Sequence, residues 1–173
     1  ATCNSLDDCV ALLGLTGASG LALALAAGSA AMPLLLCLQR LKAAGDIPED
    51  LPVFLDSPMA TEATLLYRHH GALLRVPQRE QRALSEGVRI VTTVQQSQRL
   101  AASRYPAVII SASGMATGGR VLHHLQAMAP DPRHGIVFPG FPVGGTRGAK
   151  LVAGEREIKV MGQLVPVRAE VRQ

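Results

Sequence analysis

The sequence predicts an α/β fold: a Rossmann-like parallel sheet with helices on both faces and a C-terminal β-hairpin. Three observations predict it. Short apolar runs alternate with helical patterns, the signature of βαβ units wound right-handedly onto one sheet. The 173 residues are 48% hydrophobic but only 3% aromatic, so the core must be built from Ala, Val, Leu and Ile, as in a sheet covered on both faces. The segment 157–167 alternates around Met161-Gly162, which predicts the hairpin. The length suits one domain with a sizeable core.

The elements follow in order. Residues 6–15 predict a first helix closed by glycines, and 21–27 a buried strand of small and apolar residues. Pro33 suits a helix start, because its missing N–H has no intrahelical partner there, and Gly45 stops that helix after Ala44. Residues 53–55 form a second strand. Ser57-Pro58 reads as an N-cap followed by proline at the first helical position, opening a helix to about His70. Residues 71–88 are a polar helical excursion with turns. Strand 89–93, helix 94–102, strand 107–110, helix 118–128 and strand 136–138 follow. The loop 140–148 is rich in glycine, and 146–151 predicts a short helix. Met59 and Met115 read as packing residues.

Charge and cysteine content restrict the function classes. Residues 1–66 carry a net −5 and residues 67–173 a net +9, within an overall +4. The basic part fits a phosphate-bearing partner, although a solvated arginine-rich surface accounts for the same charge. Cys3, Cys9 and Cys37 are odd in number and lack Cys-x-x-Cys spacing, which argues against a disulfide framework or a zinc knuckle and fits a reducing cytoplasm. Residues 10–27 are apolar but broken by Gly14, Gly17, Ser19 and Gly20, with no basic stretch before them. They predict a helix and a strand, not a signal peptide or a membrane span. The chain starts at Ala1 rather than Met, and an excised or processed piece is the expectation.

The chemistry concentrates in Ser111-Ala-Ser-Gly-Met-Ala-Thr-Gly-Gly-Arg-Val-Leu-His-His-Leu125. A buried strand, a small-residue loop and a helix place unpaired N–H groups and Arg120 at a helix N-terminus, where the helix dipole favours an anion. The loop lacks the Gly-Lys-Ser/Thr ending of a P-loop and the spacing of a dinucleotide fingerprint. Asp56-Ser57, 111–120 and 140–147 all follow strands, so they should converge beyond the carboxyl ends of the sheet. Candidate phosphate contacts are Asp56, Ser111, Ser113, Gly114, Gly119, Arg120, Thr146 and Arg147. Arg120 leads, because a guanidinium pairs bidentately with phosphate; the structural alternative is a salt bridge. For Asp56 the alternative is helix capping, and for the serines, glycines and Thr146 it is simple turn chemistry. His123 and His124 are adjacent on a helix, point about 100° apart, and read as a core or surface pair rather than metal ligands.

These motifs resemble the β-CASP domain found inserted in metallo-β-lactamase-fold, RNA-processing nucleases. The resemblance rests on Ser-x-Ser-Gly-Met-x-x-Gly-Gly-Arg-x-x-His-His-Leu from Ser111, and on Leu38-Gln-Arg-Leu-Lys-Ala-Ala-Gly45 and Pro52-Val-Phe-Leu-Asp-Ser-Pro-Met-Ala60. It extends to Gly140-Phe-Pro-Val-Gly-Gly-Thr-Arg-Gly148, where Phe141 and Pro142 replace the usual Tyr and Gln, and to Val165-Pro-Val-Arg-Ala-Glu-Val171, similar to the strand returning to the lactamase domain. It covers roughly residues 20–173. What it implies is an RNA-binding clamp of a zinc-dependent ribonuclease, a hydrolase of phosphodiester bonds, with single-stranded RNA held against a metallo-β-lactamase domain in cis. Two zinc ions would belong to that domain. The family's His-x-His-x-Asp-His cluster is absent here, and its Ser-Ala-His motif would follow residue 173, so no catalytic residue and no metal ligand are expected within residues 1–173. Where relatives carry Gly-Arg-x-Gln-Glu-Leu this chain has Gly28-Ser-Ala-Ala-Met-Pro33, with Met32 in place of the glutamate. That departure supports an alternative: a non-catalytic paralogue acting as an interaction module for an active nuclease. Self-association as a homodimer through the hairpin and the apolar N-terminal stretch is a further expectation, and no membrane partner is expected.

Overall fold

The computed structural model describes residues 21–26 and 31–173. The expected helix at 6–15 lies outside the described residues. Six strands form one all-parallel sheet: β1 (Leu21–Ala26), β2 (Val53–Leu55), β3 (Val88–Ile90), β4 (Ala107–Ala112), β5 (Gly135–Val137) and β8 (Glu170–Arg172). Their order is β3-β2-β4-β1-β5-β8. β6 (Glu157–Val160) and β7 (Gln163–Pro166) make the antiparallel hairpin. The helices are α1 (Ala31–Ala44), α2 (Pro58–His69), α3 (Gln78–Glu86), α4 (Val94–Ala101), α5 (Val121–Met128) and α6 (Arg147–Val152). The expected α/β architecture is present.

Strand β1 shows how composition builds the core. Its Leu-Ala alternation sends Leu21, Leu23 and Leu25 to one face and Ala22 and Ala24 to the other. The small alanines leave room for Met32, Leu34, Leu35, Leu38 and Leu41 of α1, which pack there with Val53, Leu55, Val108 and Ile110. The leucine face packs against α5, α6 and the hairpin through Leu125, Met128, Leu151, Ile158 and Val160, with Ile109, Ile136 and Phe138 beside them. The chain first winds outward from β1 to β3 and then back through β4 to β5. With right-handed crossovers, that reversal puts the later helices on the opposite face. Cys37, buried on α1, is disulfide-bonded.

Several boundaries shift for local reasons. α1 opens at Ala31, so Pro33 is its third residue, still in the first turn where no N–H is required. Strand β3 ends at Ile90 because Thr93 caps α4 instead. Its hydroxyl accepts from Gln96 N at 3.2 Å while Gln96 Oε1 accepts from Thr93 N at 3.3 Å, a capping box. Gly119, at φ +82°, is excluded from a right-handed helix, so α5 starts at Val121 rather than Gly118. The segment 165–171 is not one strand. Val165 and Pro166 close the hairpin, while Glu170–Arg172 adds a sixth strand beside β5. Met59, expected to pack, is exposed on α2.

His134 joins the first strand to the sheet's far edge. Its Nδ1 accepts from Leu21 N at 2.9 Å, and its backbone carbonyl accepts from Glu170 N at 3.1 Å. Burial pushes its pKa below the ordinary 6.5, outweighing the nearby Asp131 carboxylate. Between the folded and unfolded pKa values the unfolded chain binds the proton more readily, so this contribution is complete above 6.5 and is lost as pH falls below it. Melting temperature should therefore drop as pH is lowered from 7.5 to 5.5. The His134→Asn variant, which keeps an acceptor near the same place, should show a flatter profile by circular dichroism.

Candidate functional site

Three loops leave the carboxyl ends of the central strands and meet. The first carries Asp56. This aspartate has no exposed surface, and its backbone is stapled to β4: its N–H donates to Ile110 O at 2.8 Å and its carbonyl accepts from Ser111 Oγ at 3.2 Å. Its carboxylate accepts from Arg120 Nη1 at 2.9 Å and from His124 Nε2 at 2.6 Å. Burial alone would raise the pKa of Asp56. The hydrogen bonds from His124, Ser97 and Arg120 outweigh that and hold it below the usual carboxylate range.

Arg120 and His124 reach one carboxylate because they stand four residues apart, on the same face at the start of α5. Arg120 also donates to Val91 O and Thr92 O, each at 2.7 Å. One guanidinium therefore ties together the loops following β2, β3 and β4. A carboxylate accepts only, so the His124 proton in this contact sits on Nε2. Ser97, buried on α4, lies 3.4 Å from the same nitrogen, and Nδ1 has no hydrogen-bond partner among the described residues.

The loop after β5 forms a second corner. Gly148 N donates to Met115 O at 3.0 Å, and Val143 N to Met115 Sδ at 3.1 Å. Arg147 donates to Lys159 O at 2.7 Å and also to Ala116 O, linking both loops to the hairpin. Thr146 caps α6 by accepting from Ala149 N at 3.3 Å and donates to Val143 O at 2.6 Å. A Cβ on Gly148 would stand 3.0 Å from Pro142 Cβ and 3.1 Å from both Gly114 O and the Phe138 ring. Only the bare backbone lets these loops close this far without displacing a neighbour.

What remains open at this edge is backbone. Thr117, Gly118, Gly119, Gly144 and Gly145 are exposed. A Cβ on any of the four glycines would meet nothing within 4 Å. Gly119 and Gly145 are glycines because their φ values of +82° and +80° are left-handed. The turns are thus approachable from outside by a large ligand.

The expected convergence is real, but the predicted residues divide into two kinds. Asp56 and Ser111, placed by the sequence reading at a phosphate-binding face, are buried, because the loops fold over them. Arg120 turns hydrogen bonds inward to the carboxylate and two backbone carbonyls, and Arg147 to two backbone carbonyls. Ser113 and Gly114 are half-buried, Thr146 is a cap, and Gly119 is exposed. The sequence reading missed the Asp56–Arg120–His124 cluster. The four-residue spacing of Arg120 and His124 was the available signal, overshadowed by the adjacent His123-His124 pair. Of those two, His124 is buried and His123 half-buried. Among the described residues no group of three or more His, Cys, Asp or Glu is placed to hold a metal ion, and no helix is long and apolar enough to cross a membrane.

Residues 31–151, which include every site residue above from Asp56 to Arg147, match the model of the Beta-Casp domain. The chain belongs to the Beta-Casp family. It is 35% identical over 129 residues to Ribonuclease TTHA0252 of Thermus thermophilus, covering 69% of this chain and 29% of that protein. It is also similar to transcription termination factor FttA: 35% identical over 121 residues to that of Pyrococcus abyssi, covering 66% of this chain and 18% of the relative. The FttA of Methanosarcina mazei is 36% identical over 126 residues, covering 69% and 20%. The chain thus spans under a third of the length of each of these relatives. Within the Beta-Casp match lie both glycine turns and the buried cluster; the hairpin and β8 follow it.

Removing the charge of Asp56 should uncouple the three loops. The Asp56→Asn variant leaves Arg120 without its buried counter-ion, at an expected cost of about 3–5 kcal/mol in urea unfolding. Because the Asp56 pKa is lowered, its contribution is full above the ordinary aspartate value of 3.8 and is lost as pH falls through the folded value. The wild type should therefore lose stability in strongly acidic buffer more steeply than the variant. Gly148→Ala should destabilise by about 1–3 kcal/mol through crowding of Gly114 and Pro142, read in the same unfolding assay.

Proposed function

We propose that this Beta-Casp domain is the RNA-gripping clamp of an RNA-processing nuclease, holding single-stranded RNA against a metallo-β-lactamase domain in the same polypeptide. The observation that carries this reading is the carboxyl-edge surface: two exposed glycine turns, 117–119, whose loop is anchored by the buried ion cluster, and 144–145, whose loop is joined to the first through Arg147, Val143 and Gly148. Exposed backbone N–H groups are acceptor-seeking and tolerate any base sequence, which suits a phosphate backbone. The charge agrees, since residues 67–173 carry the net +9. Relatives named a ribonuclease and a transcription termination factor point the same way.

In this reading Ser113, Gly114, Gly119 and Thr146 face the phosphates. Asp56, Ser111, Arg120 and Arg147 shape the loops that do so. The described residues do not fit a zinc pair, so no hydrolytic step is assigned to them; two zinc ions are assigned to the partner domain. A second reading, a non-catalytic interaction module, draws on one residue. Met32, at the position where the family resemblance leads one to expect a glutamate, is buried in the apolar core beside α1. An intact product carrying the His-x-His-x-Asp-His cluster selects the nuclease, and one lacking it selects the module.

Fluorescence anisotropy with a labelled single-stranded oligoribonucleotide tests the clamp. Binding should be measurable at 50 mM salt and weaken roughly 20-fold at 200 mM if three phosphates are neutralised at a slope of about −0.7 each. No binding at low salt would overturn the reading. The 173-residue chain with added zinc should leave the RNA intact, and cleavage would contradict the assignment of metal to the partner domain.

A further inference from the structure

Phe141 is one of only three phenylalanines in a chain with two tyrosines and no tryptophan, yet it is 71% exposed. The other two phenylalanines are packed: Phe138 is buried, and Phe54 contacts Tyr105 at 6.5 Å between ring centroids. An aromatic ring left in water forfeits the burial that an Ala- and Leu-built core most needs. Its place explains the exception. Phe141 stands in the loop after β5, two residues before Val143, whose N–H is fixed to Met115 in the neighbouring glycine loop. Gly140, just before it, has its carbonyl held by Gln173 Nε2 at 3.3 Å, and Thr146 Oγ1 holds Val143 O. The segment carrying the ring is therefore tied down on both sides, and the exposed ring belongs to the same loop as the exposed turn Gly144-Gly145, a loop bonded through Val143 and Gly148 to Met115 just before the exposed turn Gly118-Gly119.

We infer that Phe141 is a base-stacking platform, on which one unpaired base of a single-stranded RNA lies while the adjoining phosphates run over the glycine turns. The inference rests on the clamp reading above and deepens it, since glycine turns alone contact the backbone and leave the bases unsupported. A fixed ring accepts any base, because every base has a π-face, and stacking adds affinity without sequence choice. Buried Asp56 and the occupied guanidinium of Arg120 cannot provide this; the ring can.

The test uses the 173-residue chain and a single-stranded oligoribonucleotide carrying 2-aminopurine, whose emission is quenched by stacking. Wild type should bind and quench. Phe141→Leu, a surface change that should leave the circular dichroism and melting curve unaltered, should bind about fivefold more weakly or worse and lose the quenching. Phe141→Trp should restore both. Equal affinity and quenching in the Leu variant would overturn the inference alone and assign the exposed ring to a protein contact. Absence of any binding by the wild type would overturn the clamp reading together with it.

Discussion

A carboxylate with no access to water must be compensated within the protein, and Asp56 is such a group. The compensation comes from residues 64 and 68 positions away, so satisfying it fixes long-range geometry. Arg120 answers the charge and, with its remaining donors, collects the carbonyls of Val91 and Thr92. His124 answers the second oxygen from the next turn of the same helix. The exits of β2, β3 and β4 are thereby locked in one arrangement, and the glycine turn between Ala116 and Arg120 hangs from it. Ion pairs of this kind contribute little net stability compared with apolar packing, but they permit few alternative arrangements. Specific loop placement is what a surface made of backbone requires.

Arg147 does the corresponding work for the loop after β5. It bonds Ala116 O and Lys159 O, so the hairpin, α6 and the β4–α5 loop are linked through one side chain. Gly148 adds a close backbone approach that a methyl group would prevent. The two arginines that looked most like phosphate ligands thus also bond inward, to a buried carboxylate and to backbone carbonyls. What stands exposed beside them is uncharged: the backbone of two glycine turns, and the ring of Phe141. Positive charge is spread over the later two thirds of the chain instead, where it supplies attraction without direction.

Much of the fold was legible because its signals are local. Alternating apolar runs and helical patterns located the described strands up to the hairpin, and Ser57-Pro58, Gly45 and Met161-Gly162 marked turns that the structure contains. Boundaries were missed where a single residue had two uses. Thr93 has the β-branched character of a strand residue but caps α4. Gly119 reads as a helix opening but adopts a left-handed φ. The last strand was hidden because Glu170-Val-Arg is too short to show a period, and its partner, β5, lies 35 residues away.

The sequence by itself determined the fold class, the edge of the sheet where the loops converge, and membership of the Beta-Casp family, because each is written in short-range pattern and motif. Tertiary structure alone decided which of the marked residues face outward. Whether an arginine meets a ligand or a buried carboxylate depends on what the chain brings to it from many residues away, and spacing along the sequence does not encode that. The same physics separates Phe138 from Phe141. They are three residues apart and alike in chemistry, yet one completes the core and the other stands in water. Phe138, directly after β5, enters the layer between sheet and helices, and the loop that follows leaves Phe141 exposed.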